Sequence, residues 1–234
     1  MSESFSAQEY KASHEHKSGR LFGLLNQEKL SVPELLEVLK QSTDQEHLFD
    51  GIGAADIPLE VHTRRVLGQF EKYLATSETL KNFDRGFLRL FLALHDLGKP
   101  KSIVEESPEK EHAYTWEQMS KILDDLSVEK DKKLLAQALL SDDPIGECFQ
   151  GKISPKKAAE NLQVMADMAG ISPQDMLVLT TIYFQSDAGS YTEDSGGSKR
   201  LDHLFVFNPK EHLISFASEQ ATKMDEIKAE INNL

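Results

Sequence analysis

Apolar residues recur along most of the chain at helical spacing, and the ends of the runs carry residues that start helices. Ser31-Val-Pro-Glu34 and Asn208-Pro-Lys-Glu211 each place a capping side chain three positions before a glutamate, so that each can satisfy the other's free backbone N–H. Ser154-Pro155 and Ser172-Pro173 place proline at the first helical position, where a missing N–H costs nothing. The pattern predicts helices over 31–42, 58–76, 85–97, 115–126, 129–141, 154–169, 172–187 and 209–232. Strand signals are nearly absent, with Leu204-Phe-Val-Phe207 the one short candidate. No internal repeat is visible. The fold class is therefore all-α: a polar arm over 1–20, a single helical domain over 21–234 and a long C-terminal helix.

Two segments raise questions of use. The last predicted helix lines up Leu213, Ala217, Met224, Ile227 and Ile231 on one face, which either packs on the domain or makes a homodimer contact. Residues 188–207 form the longest irregular stretch after the first helix. It begins beside Asp187, holds Gly196 and Gly197 as hinges and offers Lys199 and Arg200 as cations, so it is either a lid that closes over a substrate or a surface loop with no role.

Composition narrows the class. Hydrophobic residues make up 39% and charged residues 28%, a globular balance. Lysine and arginine number 26 against 39 acids, a net charge of −13 with no basic stripe, which excludes long nucleic acid as the expected partner. A few cations in a cleft still suffice for one small phosphate ester. The single cysteine, Cys148, allows no internal disulfide and fits a cytoplasmic location. The first twenty residues lack the apolar core of a signal peptide, and no apolar run nears the ~18 residues of a membrane helix. His14-Glu15-His16 resembles a metal clip, but its polar surroundings read as an exposed arm.

The chemistry begins at Gly86-Phe-Leu-Arg-Leu-Phe-Leu-Ala-Leu-His95-Asp96-Leu97, apolar on nearly every side and therefore a buried helix, with Gly98 as its cap and Pro100 as its stop. A buried carboxylate needs a partner, and at the negative end of a helix dipole it is doubly disfavoured. A bound cation removes both penalties. Arg89, about 10 Å of helical rise before Asp96, is too far for easy pairing. Met176-Leu-Val-Leu-Thr-Thr-Ile-Tyr-Phe-Gln-Ser-Asp187 repeats the theme, an apolar helix ending in an acid, and the two ends can converge on one cation. His62, in Glu60-Val-His62-Thr-Arg-Arg65-Val66-Leu67, opens a third helix and alone signals little.

Together, His62 followed by Thr and Val, the run Leu94-His95-Asp96-Leu97-Gly98-Lys99-Pro100, and the later Asp187 resemble the HD superfamily of metal-dependent phosphohydrolases over roughly residues 58–190. The resemblance implies an all-helical HD-type bundle with His62, His95, Asp96 and Asp187 as metal ligands. Two nitrogens and two oxygens suit Mn, Fe, Ni, Co, Zn or, less well, Mg. It also implies that Lys99 faces a substrate phosphate; Arg65, one turn from His62, is a second such candidate. His112 sits where some relatives carry a further histidine and is a candidate proton donor to a leaving oxygen. Two-metal relatives carry a histidine pair before the final aspartate. Here the region reads Leu140-Ser141-Asp142-Asp143-Pro144, so one tightly held ion is expected, and any second ion would be weak and rest on His112 with Asp142 or Asp143. The implied function is hydrolysis of a nucleotide or other small phosphate ester. A non-catalytic HD module, keeping its metal as a structural pin and binding a partner or signalling nucleotide, is the alternative.

Overall fold

The computed structural model describes residues 18–53 and 57–234, and it is mostly helical. The proposed clip at His14 to His16 and nearly all of the predicted arm lie outside the described residues. Helix α1 covers 18–25, three residues of the predicted arm included, and buries Leu21, Leu24 and Leu25 in the core. Next come α2 (Val32–Ser42) and α3 (Leu59–Gln69), the latter running into one wide π turn over Phe70–Leu74. Then follow α4 (Arg85–Leu94), α5 (Lys99–Val104), α6 (Glu111–Asp125), α7 (Lys130–Ser141) and α8 (Pro144–Phe149). The chain closes with α9 (Pro155–Ala169), α10 (Pro173–Gly189), strands β1 (Phe205–Asn208) and β2 (Leu213–Phe216), and α11 (Ser218–Ile231).

Helix α3 packs between α4 and α10, while α9 is surrounded by α7, α8, α10 and α11. Helix α10 touches both α3 and α9 and so joins the two halves of the core. Caps fix several starts. Ser154 Oγ accepts from Lys157 N (3.2 Å), Ser172 Oγ from Asp175 N (3.0 Å) and Asp84 Oδ1 from Phe87 N (2.9 Å). Ser31 precedes α2 as predicted, but its side chain makes no capping bond.

Buried Arg89 pairs with Glu71 of the π turn through two parallel bonds (2.8 and 2.7 Å) and donates to the carbonyls of Leu25 and Gln27 (2.7 and 2.6 Å). It thereby ties the end of α1 to α4.

Three predicted elements need correction. The helix expected over 209–232 begins only at Ser218. Asn208-Pro-Lys-Glu211 is a hairpin turn, closed by Asn208 Nδ2 donating to Glu211 Oε2 (2.8 Å), not a helix start. Leu213 and Ala217 share a helical spacing, but Ile214 and Phe216 also alternate, and the two-residue period prevails. It pairs Phe205 with Phe216 in an antiparallel ladder and seats Phe205 and Phe216 against Phe149 and Phe184. The remaining stripe, Met224, Ile227 and Ile231, is buried within the same chain.

The helix expected over 85–97 stops at Leu94, and Pro100 does not end it but sits in the first turn of the unforeseen α5. Gly98 is no left-handed cap, since its φ is −80°. It is needed for close approach: an added Cβ would lie 2.1 Å from Thr115 N and 2.6 Å from Glu111 O. Finally, the stretch after Asp187 is folded into short 3-10 turns, the first (Glu193–Ser195) against α3 and the π turn and the second (Lys199–Leu204) against α10 and β1.

Candidate metal centre

The four predicted ligands meet at one point. His62 comes from the first turn of α3, His95 and Asp96 from the turn that follows α4, and Asp187 from the last turns of α10. One ligand atom from each lies within 4.8 Å of all the others. His62 Nε2 is 3.0 Å from Asp96 Oδ2 and 3.1 Å from Asp187 Oδ1. His95 Nε2 is 3.5 Å from Asp96 Oδ1 and 3.6 Å from Asp187 Oδ1. Both histidines and Asp96 are buried, and Asp187 keeps about a third of its side chain exposed.

The hydrogen bonding of the cluster is incomplete in a telling way. Among the described residues, the buried side-chain polar atoms left without a hydrogen bond are His62 Nε2, His95 Nε2, Asp187 Oδ1 and Thr180 Oγ1. The first three are ligand atoms, and Thr180 lines the adjoining cavity. His95 Nδ1 lies 2.8 Å from the carbonyl of Leu92, which can only accept, so Nδ1 carries the proton. In neutral His95 the Nε2 lone pair therefore faces carboxylate oxygens, acceptor against acceptor. Buried polar atoms are nearly always satisfied, and a cation between these groups would satisfy this set. The residues present thus fit a metal ion.

Without a cation, protons and Lys99 balance the charge. Burial alone would lower the pKa of His62, but Asp187 and Asp96 outweigh it and raise it from 6.5 to about 9. Burial would raise both carboxyls; instead the charges of His95 and Lys99 and the contact with His62 hold Asp96 well below the usual range, and His62 and His95 do the same for Asp187. Lys99 Nζ lies 2.7 Å from Asp96 Oδ2 and 3.4 Å from Glu111 Oε1, and these acids, with Asp187, raise its pKa against the cost of burial.

The cluster opens on a cavity of about 140 Å³. Asp96, Lys99, Glu111, His112, Asp142, Asp143 and Asp187 supply its charged or titratable lining, with Thr180, Tyr183 and Phe184 on the α10 side. His112 thus joins Lys99 at the site, from the first turn of an α6 that begins four residues earlier than predicted. Arg65 does not: it lines a separate shallow hollow with Gly68, Lys72 and Asp194. Lys199 is held by Glu193 (3.0 Å). Asp143 caps α8 through Gly146 N (2.9 Å), and Asp142 accepts from Asn161 Nδ2 (2.7 Å). Burial, opposed by the Gly146 N–H and aided by the charges of Asp187 and Asp142, pushes Asp143 up to about 6.

No family model, no curated protein and no solved structure matches the chain. What the chain shows by itself is a buried group of two histidines and two aspartates suited to a metal.

Sequence reasoning missed four neighbours of this group. Tyr191 stacks on His62 (centroids 5.0 Å apart, 30° between planes), Ser190 Oγ lies 3.3 Å from His62 Nδ1, Tyr183 meets His95 edge-on at 5.5 Å, and Glu111 faces Lys99. Burial and the nearby Asp187 raise the pKa of both tyrosines, so each keeps its phenolic proton. Helical periodicity finds Tyr183, one turn before Asp187 on the same face. Ser190 and Tyr191 carry no such signal, because they lie in irregular turns.

Proposed function

We infer that this protein is a metal-dependent phosphohydrolase of the HD type, acting on a nucleotide or another small phosphate ester. The observation that carries the reading is the group of unsatisfied ligand atoms opening on a cavity that also holds Lys99 and His112. The ligand order, a histidine, an adjacent His-Asp before Leu-Gly-Lys-Pro, and a distant aspartate, supports the HD assignment. His62, His95, Asp96 and Asp187 would hold the ion. When bound, such an ion activates water and polarises a phosphoryl oxygen.

The chain's own groups do the rest. Lys99, half-buried and charged, stabilises negative charge that grows on the phosphate. His112 is exposed at the rim, where it can hand a proton to the leaving oxygen. Asp96 pairs with Lys99 and would also hold the ion, and so sets the lysine's direction. The acids around the mouth, Glu111, Asp142 and Asp143, repel a bare polyanion, which favours a substrate with few phosphates.

One observation favours the non-catalytic module instead. The Lys99 ammonium is already committed to Asp96 and Glu111. A substrate phosphate has to displace Glu111 to reach it. The test is a panel of phosphate monoesters and diesters with metal-reconstituted protein, alongside Lys99→Met and His112→Ala. Turnover that falls at least tenfold in both variants, with metal content unchanged, supports the enzyme. Full metal with no turnover on any ester supports the module.

A further inference from the structure

The two ligand histidines are held in different ways. His95 is oriented by its own chain, through the carbonyl of Leu92 three residues earlier. His62 gets its support from a distant segment. Ser190 Oγ reaches its Nδ1 and the Tyr191 ring covers its face, both contributed by the turns that follow α10. A histidine ligand needs its ring direction and tautomer fixed by such outer contacts, or its lone pair wanders from the metal position.

These turns are in turn fastened to the element that bears His62. Gln69 Nε2 donates to Gly189 O (2.8 Å), and Thr192 Oγ1 donates to the same carbonyl (2.7 Å). Asp194 receives Lys72 Nζ at both oxygens (2.9 and 3.0 Å) and the Tyr73 hydroxyl (2.8 Å). Ser195 Oγ sits among the carbonyls of Gly189, Ser190 and Thr192. Gly197 folds back so tightly that a Cβ would lie 2.5 Å from the Tyr191 carbonyl carbon. Gln69 ends the helix whose first turn bears His62, and Lys72 and Tyr73 fall in the π turn that continues it. Asp194 is the one acid in this set. Its side chain is only 17% exposed, so its pair with Lys72 is less screened than an open surface pair.

We propose that residues 190–194 form a clasp in which Ser190 and Tyr191 are positioning residues for His62 and Asp194 is the latch that keeps them in place. The inference rests on reading the cluster as a metal centre. It explains why the segment after Asp187 is folded down rather than open as a lid.

The test uses full-length, metal-stripped protein titrated with Mn²⁺, together with the ¹⁵N shifts of the two ligand imidazoles in the metal-free state. Ser190→Ala and Tyr191→Leu should weaken Mn²⁺ binding by roughly 10- to 100-fold, the usual effect of losing an outer contact to a ligand. Asp194→Asn should act in the same direction and add nothing to Tyr191→Leu in the double variant. Tyr191→Phe, which keeps the stacked ring, should retain wild-type affinity. The His62 nitrogen shifts should move in the first three variants while those of His95 stay. If Asp194→Asn does not fold, Lys72→Gln opens the same latch from the other side. Mn²⁺ binding and His62 shifts that stay at wild-type values in Ser190→Ala and Tyr191→Leu overturn the clasp. Wild-type protein that takes no metal, with His62 shifts that still move in the variants, sinks the metal reading and leaves the clasp standing.

Discussion

Raising the pH of the metal-free protein from 6.5 to 9.5 should destabilise it, and His62 sets the size of the effect. In the folded chain its imidazole lies against Asp96 and Asp187, which raise its pKa from 6.5 to about 9. A folded-state value above the unfolded one means that the folded chain keeps a proton the unfolded chain has released. That stabilisation is complete below pH 6.5 and is lost as the pH climbs through 9. The difference, at about 1.4 kcal/mol per tenfold change in proton affinity, comes to roughly 3 kcal/mol. For a chain of this length that is a fall in Tm of roughly 6–12 °C.

The assay is urea unfolding in the presence of a chelator, at constant ionic strength, at several pH values across this window. Metal-loaded protein should show a flat or rising profile over the same range, because the ion requires His62 deprotonated and competes with the proton. His62→Asn should remove the slope from the metal-free protein. A metal-free profile that is flat, or a slope unchanged in His62→Asn, would refute the assignment of the charge balance to this histidine.

Other perturbations probe other parts of the account. Arg89→Ala should cost about 3–5 kcal/mol in denaturant unfolding, since it leaves the Glu71 carboxylate, the buried Leu25 carbonyl and the Gln27 carbonyl without their partner; a loss below 1 kcal/mol would contradict the role given to this pair. Gly98→Ala drives a Cβ into the backbone of Thr115 and Glu111, so it should destabilise by at least about 1–3 kcal/mol and weaken metal binding through its neighbours Asp96 and Lys99; a Tm and a metal affinity like those of wild type would remove the close-approach argument. Single-stranded RNA should bind no more tightly than ~10⁻⁴–10⁻⁶ M at physiological salt, measured by fluorescence anisotropy, because the cavity is acidic and the net charge is −13; submicromolar binding with a steep salt slope would overturn the preference for small esters.

How much of this was legible in the sequence depends on the type of signal. His95, Asp96 and Asp187 were legible because each is a polar residue at the end of an apolar helix, where a partner explains it; His62 opens an amphipathic helix and was legible only in combination with them. Helix starts at Ser154-Pro155 and Ser172-Pro173 were legible because cap and proline are adjacent and local. Asp143-Pro144 carries the same signal and does start α8, a helix absent from the predicted set. Gly98-Lys99-Pro100 was read as a stop because proline ends helices, yet proline also begins them, and it begins α5. The 209–216 stretch fits both a period of 3.6 and a period of 2, and only the aromatic partners Phe149 and Phe184, far away in the chain, decide between them. The separation of Arg65 from the cavity and the approach of Ser190 and Tyr191 to His62 are tertiary facts with no local trace.

The central claim is that His62, His95, Asp96 and Asp187 together hold a metal ion. The direct measurement is metal content by elemental mass spectrometry on purified wild type and on His62→Ala/His95→Ala, each reconstituted with Mn²⁺ or Zn²⁺ and then desalted, with circular dichroism to show that both remain helical. The account predicts about one equivalent of metal in wild type and almost none in the folded double variant. A wild type that holds no metal under these conditions, or a double variant that keeps a full equivalent, would contradict it.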